Sequence, residues 1–157
     1  MLKVTKGEVY MQRYTDFETI EKEIGDRFKE GPPNCFDVMR PRLVEYLKGK
    51  KLTVAFPVLE QYLNPAKRMQ GGFITAAFDN VFGSLCIYET NGSPVATIDI
   101  STTFLRPIFL DEALIITAFI KSKGKTLVHM CGEAKNREGK LIATSTTNLI
   151  LLDNKNK

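Results

Sequence analysis

Apolar residues in the first fifty positions recur at steps of three and four, which is the spacing of one helix face. A first helix is predicted from Asp16, a residue type that caps helices, to Gly31-Pro32-Pro33. A second helix is predicted to start after Asn34 and to run through Leu47, bent or split at Pro41. The predicted apolar faces are Phe17, Ile20, Ile24 and Phe28 in the first helix and Phe36, Met39, Leu43, Tyr46 and Leu47 in the second.

The rest of the chain is predicted to form strands before and after one long apolar segment. The first strand is predicted over Leu52 to Leu59, at an edge or a bulge because of Pro57. After Gly71-Gly72, residues 73–88 contain only Asp79 and Asn80 as strongly polar residues, which predicts a helix buried on most sides. Sixteen residues are fewer than the ~20 that a membrane span needs. Four further strands, separated by turn sequences, are predicted over Val95 to Leu105, Ala113 to Lys121, Thr126 to Lys135 and Leu141 to Leu152.

These elements predict an α+β fold, in which one antiparallel sheet packs against one mostly buried helix and further helices precede it. The predicted strand from Ala113 is apolar on both faces, with Ile115 and Phe119 on the outer one. An apolar outer face has to be shielded from water, so the pattern favours an oligomer in which another subunit packs on this face.

Composition narrows the classes of function. The chain has 157 residues, the length of about one domain, and a net charge of +4 that no segment concentrates, which argues against nucleic acid. Three cysteines without CxxC spacing and a single histidine, His129, support neither a disulfide framework nor a zinc site. Lys3, Lys6 and Glu8 interrupt the apolar stretch that a signal peptide would need, so a cytoplasmic protein is expected.

Two features of the apolar helix could carry chemistry. Gly71-Gly72 stands at its start, where unpaired backbone N–H groups can bind an oxyanion; alternatively, the glycines only let the helix approach the sheet. Asp79 places a carboxylate in a helix expected to be buried. It is either a hydrogen-bonded structural anchor or a base or nucleophile with a shifted pKa.

The spacing of these features predicts a shared site. Nine residues separate Gln70 from Asp79, which at ~100° and ~1.5 Å per residue places them on opposite helix faces, ~13 Å apart. If both act, the oxyanion donors of one subunit face the carboxylate of another. A symmetric dimer with shared sites is therefore predicted.

The motifs together resemble those of a known family. Asn64 precedes Gln70-Gly71-Gly72 by six residues, and Asp79, Gly83, Ala96-Thr97-Ile98-Asp99 and Phe104-Leu105-Arg106-Pro107 follow. The pattern is similar to that of the hotdog-fold thioesterases, in the phenylacetic-acid-pathway and acyl-CoA thioesterase 13-like branch, over about residues 50–152. The domain is accordingly assigned to residues 51–157, preceded by a helical extension of residues 1–50.

The resemblance implies a hotdog fold, a long helix wrapped by a curved antiparallel sheet, in a homodimer and usually a dimer of dimers. It implies hydrolysis of acyl-CoA thioesters, with Asp79 as general base or nucleophile and the Gly71 N–H polarising the carbonyl. Asn64 matches a position that helps hold substrate or water, and Thr97 one whose hydroxyl assists the water. Gln70 stands where relatives commonly have histidine, and it cannot titrate near neutral pH. If proton transfer through that position matters, activity will be low.

Substrate contacts are expected on both sides of the thioester. The residues assigned to substrate binding are Gly72, Phe82, Phe104, Arg106, Lys123 and Lys125. The last three lie at strand ends where relatives meet the nucleotide and phosphates of CoA, although such residues are often only solvated. The aromatic residues suggest medium, long or aromatic acyl groups. No metal or bound cofactor is expected, because coenzyme A belongs to the substrate.

Two other functions stay open. The first is a non-catalytic acyl-CoA or fatty-acyl binding protein of the same fold, marked by Gln70. The second is a hotdog dehydratase or hydratase, which the missing histidine disfavours. His129 itself is expected to be a satisfied histidine within a strand rather than a catalytic group.

Overall fold

The structure, a computed structural model, describes residues 11–24 and 34–152 and contains one seven-stranded antiparallel sheet. The strand order is β1-β2-β3-β5-β6-β7-β4. The long helix α3 packs against this sheet, so the predicted α+β architecture is confirmed. The elements are β1 (Arg13–Tyr14), α1 (Phe17–Ile24), α2 (Asn34–Asp37), β2 (Arg42–Leu47), β3 (Lys51–Pro57), α3 (Gly71–Glu89), β4 (Val95–Phe104), β5 (Ala113–Lys123), β6 (Leu127–Lys135) and β7 (Leu141–Leu151).

The core lies between α3 and the concave face of the sheet. Phe78 and Phe82 on α3 are fully buried and stack with their ring centroids 5.8 Å apart. A Cβ at Gly132 of β6 would come within 3.1 to 3.2 Å of both rings, so a glycine lets this strand approach the helix. The predicted α3 and the four strands after it are all present, with bounds close to those expected.

The first predicted helix exists in the described part of the chain. Asp16 caps α1, since its Oδ1 accepts hydrogen bonds at 2.7 Å from both the backbone N–H and the hydroxyl of Thr19. Ile20 on this helix is buried. The predicted end of the helix, with Phe28 and Gly31, lies outside the described residues.

The second predicted helix is wrong beyond Asp37. The four-residue α2 is followed by Arg40, whose φ of 52° leaves the helical region, and then by strand β2. A bulge between Leu43 and Glu45 shifts the alternation of β2, so Leu43 and Tyr46 are both buried although three residues apart. That bulge produces a helix-like spacing inside a strand.

The edge position predicted for the Pro57 strand is also wrong. β3 lies inside the sheet, between β2 and β5, and Pro57 is its last residue, where a missing N–H costs the ladder little. β2 and β3 lie on either side of residue 50 in one sheet. The boundary assigned between residues 50 and 51 stays a prediction.

The edges and the outer face of the sheet remain accessible in a single chain. Among the described residues, β4 pairs only with β7 and leaves its other edge open. Ile115 and Phe119, expected under a cover, are half-buried. Within residues 11–24 and 34–152, no helix combines the length and hydropathy of a membrane span.

Candidate active site

The N-terminus of α3 offers two free backbone donors. Gln70 is the N-cap, and its side-chain Oε1 accepts a hydrogen bond from the backbone N–H of Phe73 at 3.3 Å. The N–H groups of Gly71 and Gly72 have no acceptor among the described residues. They point out of the positive end of the helix dipole, which suits an oxyanion or a polarised carbonyl oxygen.

A cleft of about 360 Å³ opens beside these donors. Its walls include Asn64, Gly71, Phe104 and Arg106, four residues that the sequence analysis assigned to the site. The side-chain oxygen of Asn64 accepts from the N–H groups of Ala66 and Arg68 at 2.9 and 3.2 Å, which orders the loop before α3.

Phe104 fits tightly over the first residue of α3. A Cβ built on Gly71 would lie 2.8 Å from Cζ of the Phe104 ring, well inside van der Waals contact. The ring is 52% exposed, so its outer face is open to the cleft. Glycine at position 71 therefore lets the Phe104 ring lie this close to the helix and keeps the donor accessible.

Positive charge gathers in the same cleft. Arg106 donates from Nη1 to the carbonyl oxygen of Leu141 at 2.8 Å, and the exposed Arg68 also lines this cleft. Arg68 was not among the site residues predicted from the sequence. The signal available was its place in the loop between Asn64 and Gln70, three residues before the predicted donor Gly71. Two guanidinium groups beside free N–H donors favour an anionic ligand.

A second cleft, of about 170 Å³, lies farther along α3 and contains Asp79. The hydroxyl of Thr97 on β4 donates to Asp79 Oδ1 at 2.8 Å, which joins two residues that the sequence analysis assigned to the site. The other carboxylate oxygen has no partner among the described residues and can accept a proton from water.

The predicted burial of Asp79 is wrong for a single chain. Its side chain is exposed, together with Gly72 and Ala76. Because these positions are separated by four and three residues, they form one stripe along α3. A helix that is apolar almost all round is buried here on one side only, and the small side chains of the stripe leave that face open.

The two clefts do not meet in one chain. Gly71 lines the first and Asp79 the second, and no described residue lines both. Eight residues of helix correspond to ~12 Å of axial distance between them. This separation agrees with the reasoning that predicted a shared site.

Three other assigned residues lie outside both clefts. Phe82 is fully buried in the core. Lys123 donates from Nζ to the carbonyl oxygen of Glu89 at 2.9 Å, a structural contact at the C-terminus of α3. Lys125 is exposed in the turn between β5 and β6. The assignment of these three to substrate stays a prediction.

Neither His129 nor Cys86 offers a reactive group at the two clefts. His129 shares a hydrogen bond of 2.9 Å between Nδ1 and Oδ1 of Asn148, so the expectation of a satisfied strand histidine is confirmed. Burial raises the pKa of the Cys86 thiol to about 11, which disfavours the nucleophilic thiolate. Among the described residues, no three histidine, cysteine, aspartate or glutamate side chains are placed to hold a metal ion.

Comparison with known proteins gives a consistent picture. The profile of the thioesterase superfamily matches residues 67–143. Acyl-coenzyme A thioesterase 13 of Mus musculus is 30% identical over 95 residues, which are 60% of this chain and 68% of that protein. The Escherichia coli PaaI protein of the phenylacetic acid degradation operon superposes with a TM-score of 0.75 at 21% identity, covering 84% of this chain and 93% of that one.

One of the similar solved structures contains a bound ligand. A hypothetical thioesterase from Streptococcus pneumoniae, solved with coenzyme A, superposes with a TM-score of 0.68 at 20% identity. The match covers 83% of this chain and 95% of that one. At these identities the two structural likenesses establish the hotdog fold.

Proposed function

Because this chain belongs to the thioesterase superfamily and is a thioester hydrolase, we propose that it hydrolyses acyl-CoA esters in a site shared by two protomers. The observation that carries the proposal is the placement of two complementary half-sites along α3. One has free N–H donors at Gly71 and Gly72, and the other has the Asp79 carboxylate held by Thr97. Neither half alone contains both an oxyanion site and a base.

The proposed reaction starts with water beside Asp79. As general base, Asp79 takes a proton while the water oxygen bonds to the thioester carbon, and the Gly71 N–H stabilises the oxyanion. The carbon–sulfur bond then breaks, the acid leaves, and the CoA thiolate receives the proton. If Asp79 is instead the nucleophile, its carboxylate bonds to the carbon and the carbon–sulfur bond breaks, which releases the CoA thiolate. Water then hydrolyses the resulting anhydride to the free acid and the Asp79 carboxylate, and its proton goes to the thiolate. The Thr97 hydroxyl fixes the carboxylate in either case.

Residues around the donors would hold and orient the thioester. Gln70 caps the helix through Phe73, which leaves the N–H groups of Gly71 and Gly72 for substrate. The side-chain amide nitrogen of Asn64 has no acceptor among the described residues and is free to donate to substrate or water. These roles need no titratable group at position 70.

A dimer would bring the half-sites together. The exposed stripe of Gly72, Ala76 and Asp79 allows close approach of a second α3, since small side chains let helices pack tightly. The open edge of β4 can pair with the same strand of the partner, and Ile98 on it is 56% exposed. A two-fold axis between the helices places each Asp79 opposite the partner's donors. The half-buried outer face of the sheet is available for a dimer of dimers.

The CoA part of the substrate is proposed to lie on the positive side of the first cleft. Arg106 and Arg68 line this cleft and match the phosphates by charge. A guanidinium group can also bind a phosphate through two N–H groups. The Streptococcus pneumoniae relative with bound coenzyme A supports this choice of ligand. Lys123 and Lys125 remain candidates for the outer phosphates.

The proposal is tested by thiol release from a panel of acyl-CoA esters. Asp79→Asn and Asp79→Ala should lower kcat by about two orders of magnitude or more at an unchanged oligomeric state. Asp111→Asn is the matched control, because Asp111 is exposed, lines neither cleft and has a φ of 64° that asparagine tolerates. Wild-type turnover that survives Asp79→Asn would refute the assigned role.

A non-catalytic binding protein is the second candidate. The non-titrating Gln70 cap favours it, because a side chain committed to Phe73 carries no proton to the leaving group. Saturable binding of CoA esters by a dimer that hydrolyses none of them would establish this function instead.

A further inference from the structure

The cleft that contains Asp79 has mostly apolar walls. Its lining combines Ile87, Val95 and Leu149 with the polar side chains of Asp79, Asn80, Ser84 and Thr97. An apolar recess directly beside a proposed base is suited to a hydrocarbon rather than to the polar end of a CoA ester. Its volume of about 170 Å³ is small.

Gly83 forms part of this wall, and no contact within the single chain requires glycine there. A Cβ at this position would meet no atom of the described residues within 4 Å, and its φ is not in the left-handed region. A glycine inside a helix costs roughly 1 kcal/mol relative to alanine. The open space over Gly83 is therefore retained at a cost to stability.

One wall of the cleft comes from the segment between β1 and β2. Phe36 on α2 lines the cleft and is only 7% exposed. Edge-to-face contacts hold its ring, with centroid distances of 5.7 Å to Phe17 and 6.1 Å to Phe56. A ring packed on two sides is a fixed boundary.

Asn80 of α3 connects this wall to the helix through side-chain contacts. Its Nδ2 donates to the carbonyl oxygen of Cys35 at 3.3 Å and contacts Sδ of Met39 at 3.4 Å. The residue next to the proposed base therefore sets the distance between α2 and α3. The size of the recess follows from these contacts.

Resting on the proposed function, we propose that this cleft holds the acyl group, with Gly83 leaving room for it and Phe36 limiting its length. At ~30 Å³ per water-sized group, the volume accommodates about six non-hydrogen atoms. The substrates assigned by this geometry are esters of short to medium linear acids, of about four to eight carbon atoms. Long-chain acyl groups exceed the space that Phe36 leaves.

The test compares kcat/KM for linear acyl-CoA esters from acetyl to palmitoyl in three variants and the wild type. Gly83→Leu fills the recess and should lower the octanoyl-to-acetyl ratio of kcat/KM by about tenfold or more, since each misfitted methylene costs about that much. Gly83→Ala adds one carbon and should lower the ratio less. Phe36→Ala should extend hydrolysis to longer chains.

Ile116→Ala is the control for Phe36→Ala. Ile116 on β5 is also a buried apolar residue, but it lines neither cleft, so the chain-length profile of this variant should equal that of the wild type. Melting temperature and oligomeric state are measured for each variant. A profile unchanged in both Gly83→Leu and Phe36→Ala would overturn the proposal, as would Gly83→Leu lowering acetyl and octanoyl turnover equally.

Failure of the proposed function has a different signature. If the wild type hydrolyses no ester, thioester hydrolysis is rejected, and the same variants are compared by the Kd of S-alkyl-CoA thioethers of increasing length. A wild-type optimum at short to medium chains, lost in Gly83→Leu, would sustain the acyl pocket on its own. Affinity independent of chain length would reject it.

Discussion

Replacement of Gly71 by alanine isolates the contact between Phe104 and the start of α3. The new methyl would lie 2.8 Å from Cζ and 3.0 Å from Cε2 of the ring. Ordinary contact begins near 3.4 Å, so the ring has to move by about 0.6 Å or more. Because Phe104 is half exposed, it can swing outward into the 360 Å³ cleft.

The expected result is a loss of activity without a loss of stability. Alanine is favoured over glycine by up to ~1 kcal/mol within a helix, which offsets the small cost of moving an exposed ring. The displaced ring covers the Gly71 N–H, so kcat/KM should fall by about 10²-fold, the cost of losing one oxyanion donor. Urea unfolding and thiol release measure the two effects on the same preparation.

Two further variants separate this explanation from a general effect of alanine. Gly83→Ala adds a methyl to the same helix at a place where no atom of the described residues lies within 4 Å, so it should raise stability with a smaller effect on short esters. Phe104→Ala in the Gly71→Ala background removes the clash and should restore part of the activity. Destabilisation of Gly71→Ala by more than ~2 kcal/mol, or absence of any rescue, would refute the reasoning.

Three other outcomes are expected. Gln70→Ala should lower the free energy of unfolding by ~0.5–1 kcal/mol, because the helix loses its cap. Gln70→Asn, which introduces a better capping residue, should retain turnover. If both variants lose turnover, Gln70 takes a direct part in the reaction. Gly139→Ala should cost roughly 1 kcal/mol at its φ of 78° in urea unfolding and leave kcat unchanged, and a loss of kcat would contradict this. Burial and the hydrogen bond to Glu23 raise the pKa of Tyr14 to about 12, so the stability from this group is present below about pH 10 and is lost as pH rises towards 12. Unfolding midpoints in that range should fall less steeply in Tyr14→Phe, and parallel curves would exclude the contribution.

Helices and strands were predicted correctly where the hydrophobic pattern of a segment fits only one type of secondary structure. α3 and the strands after it were placed correctly because long apolar runs are separated by strong turn residues. The strand β2 was mistaken for a helix because its bulge puts Leu43 and Tyr46 on one face. A bulge depends on the partner strand, which spacing within one segment does not reveal.

The site was predicted in part for a similar reason. Asn64, Gly71, Phe104 and Arg106 do come together, since motifs at the ends of elements meet at one end of the sheet. The exposure of Asp79 was missed, because an apolar helix face looks the same in sequence whether its own sheet or a second chain covers it. Phe82 shows the opposite case. It was predicted to bind substrate, but its side chain is fully buried in the core.

The position of β7 has a consequence for how the chain reaches its native state. This strand is the last in chain order, yet it lies between β6 and β4, and β4 pairs with no other described strand. During synthesis, β4 has no described strand to pair with until residues 141–151 emerge and insert. Such late, long-range pairing is slow and leaves apolar surface exposed to aggregation. Nascent chains that end before residue 141 are therefore expected to need chaperones.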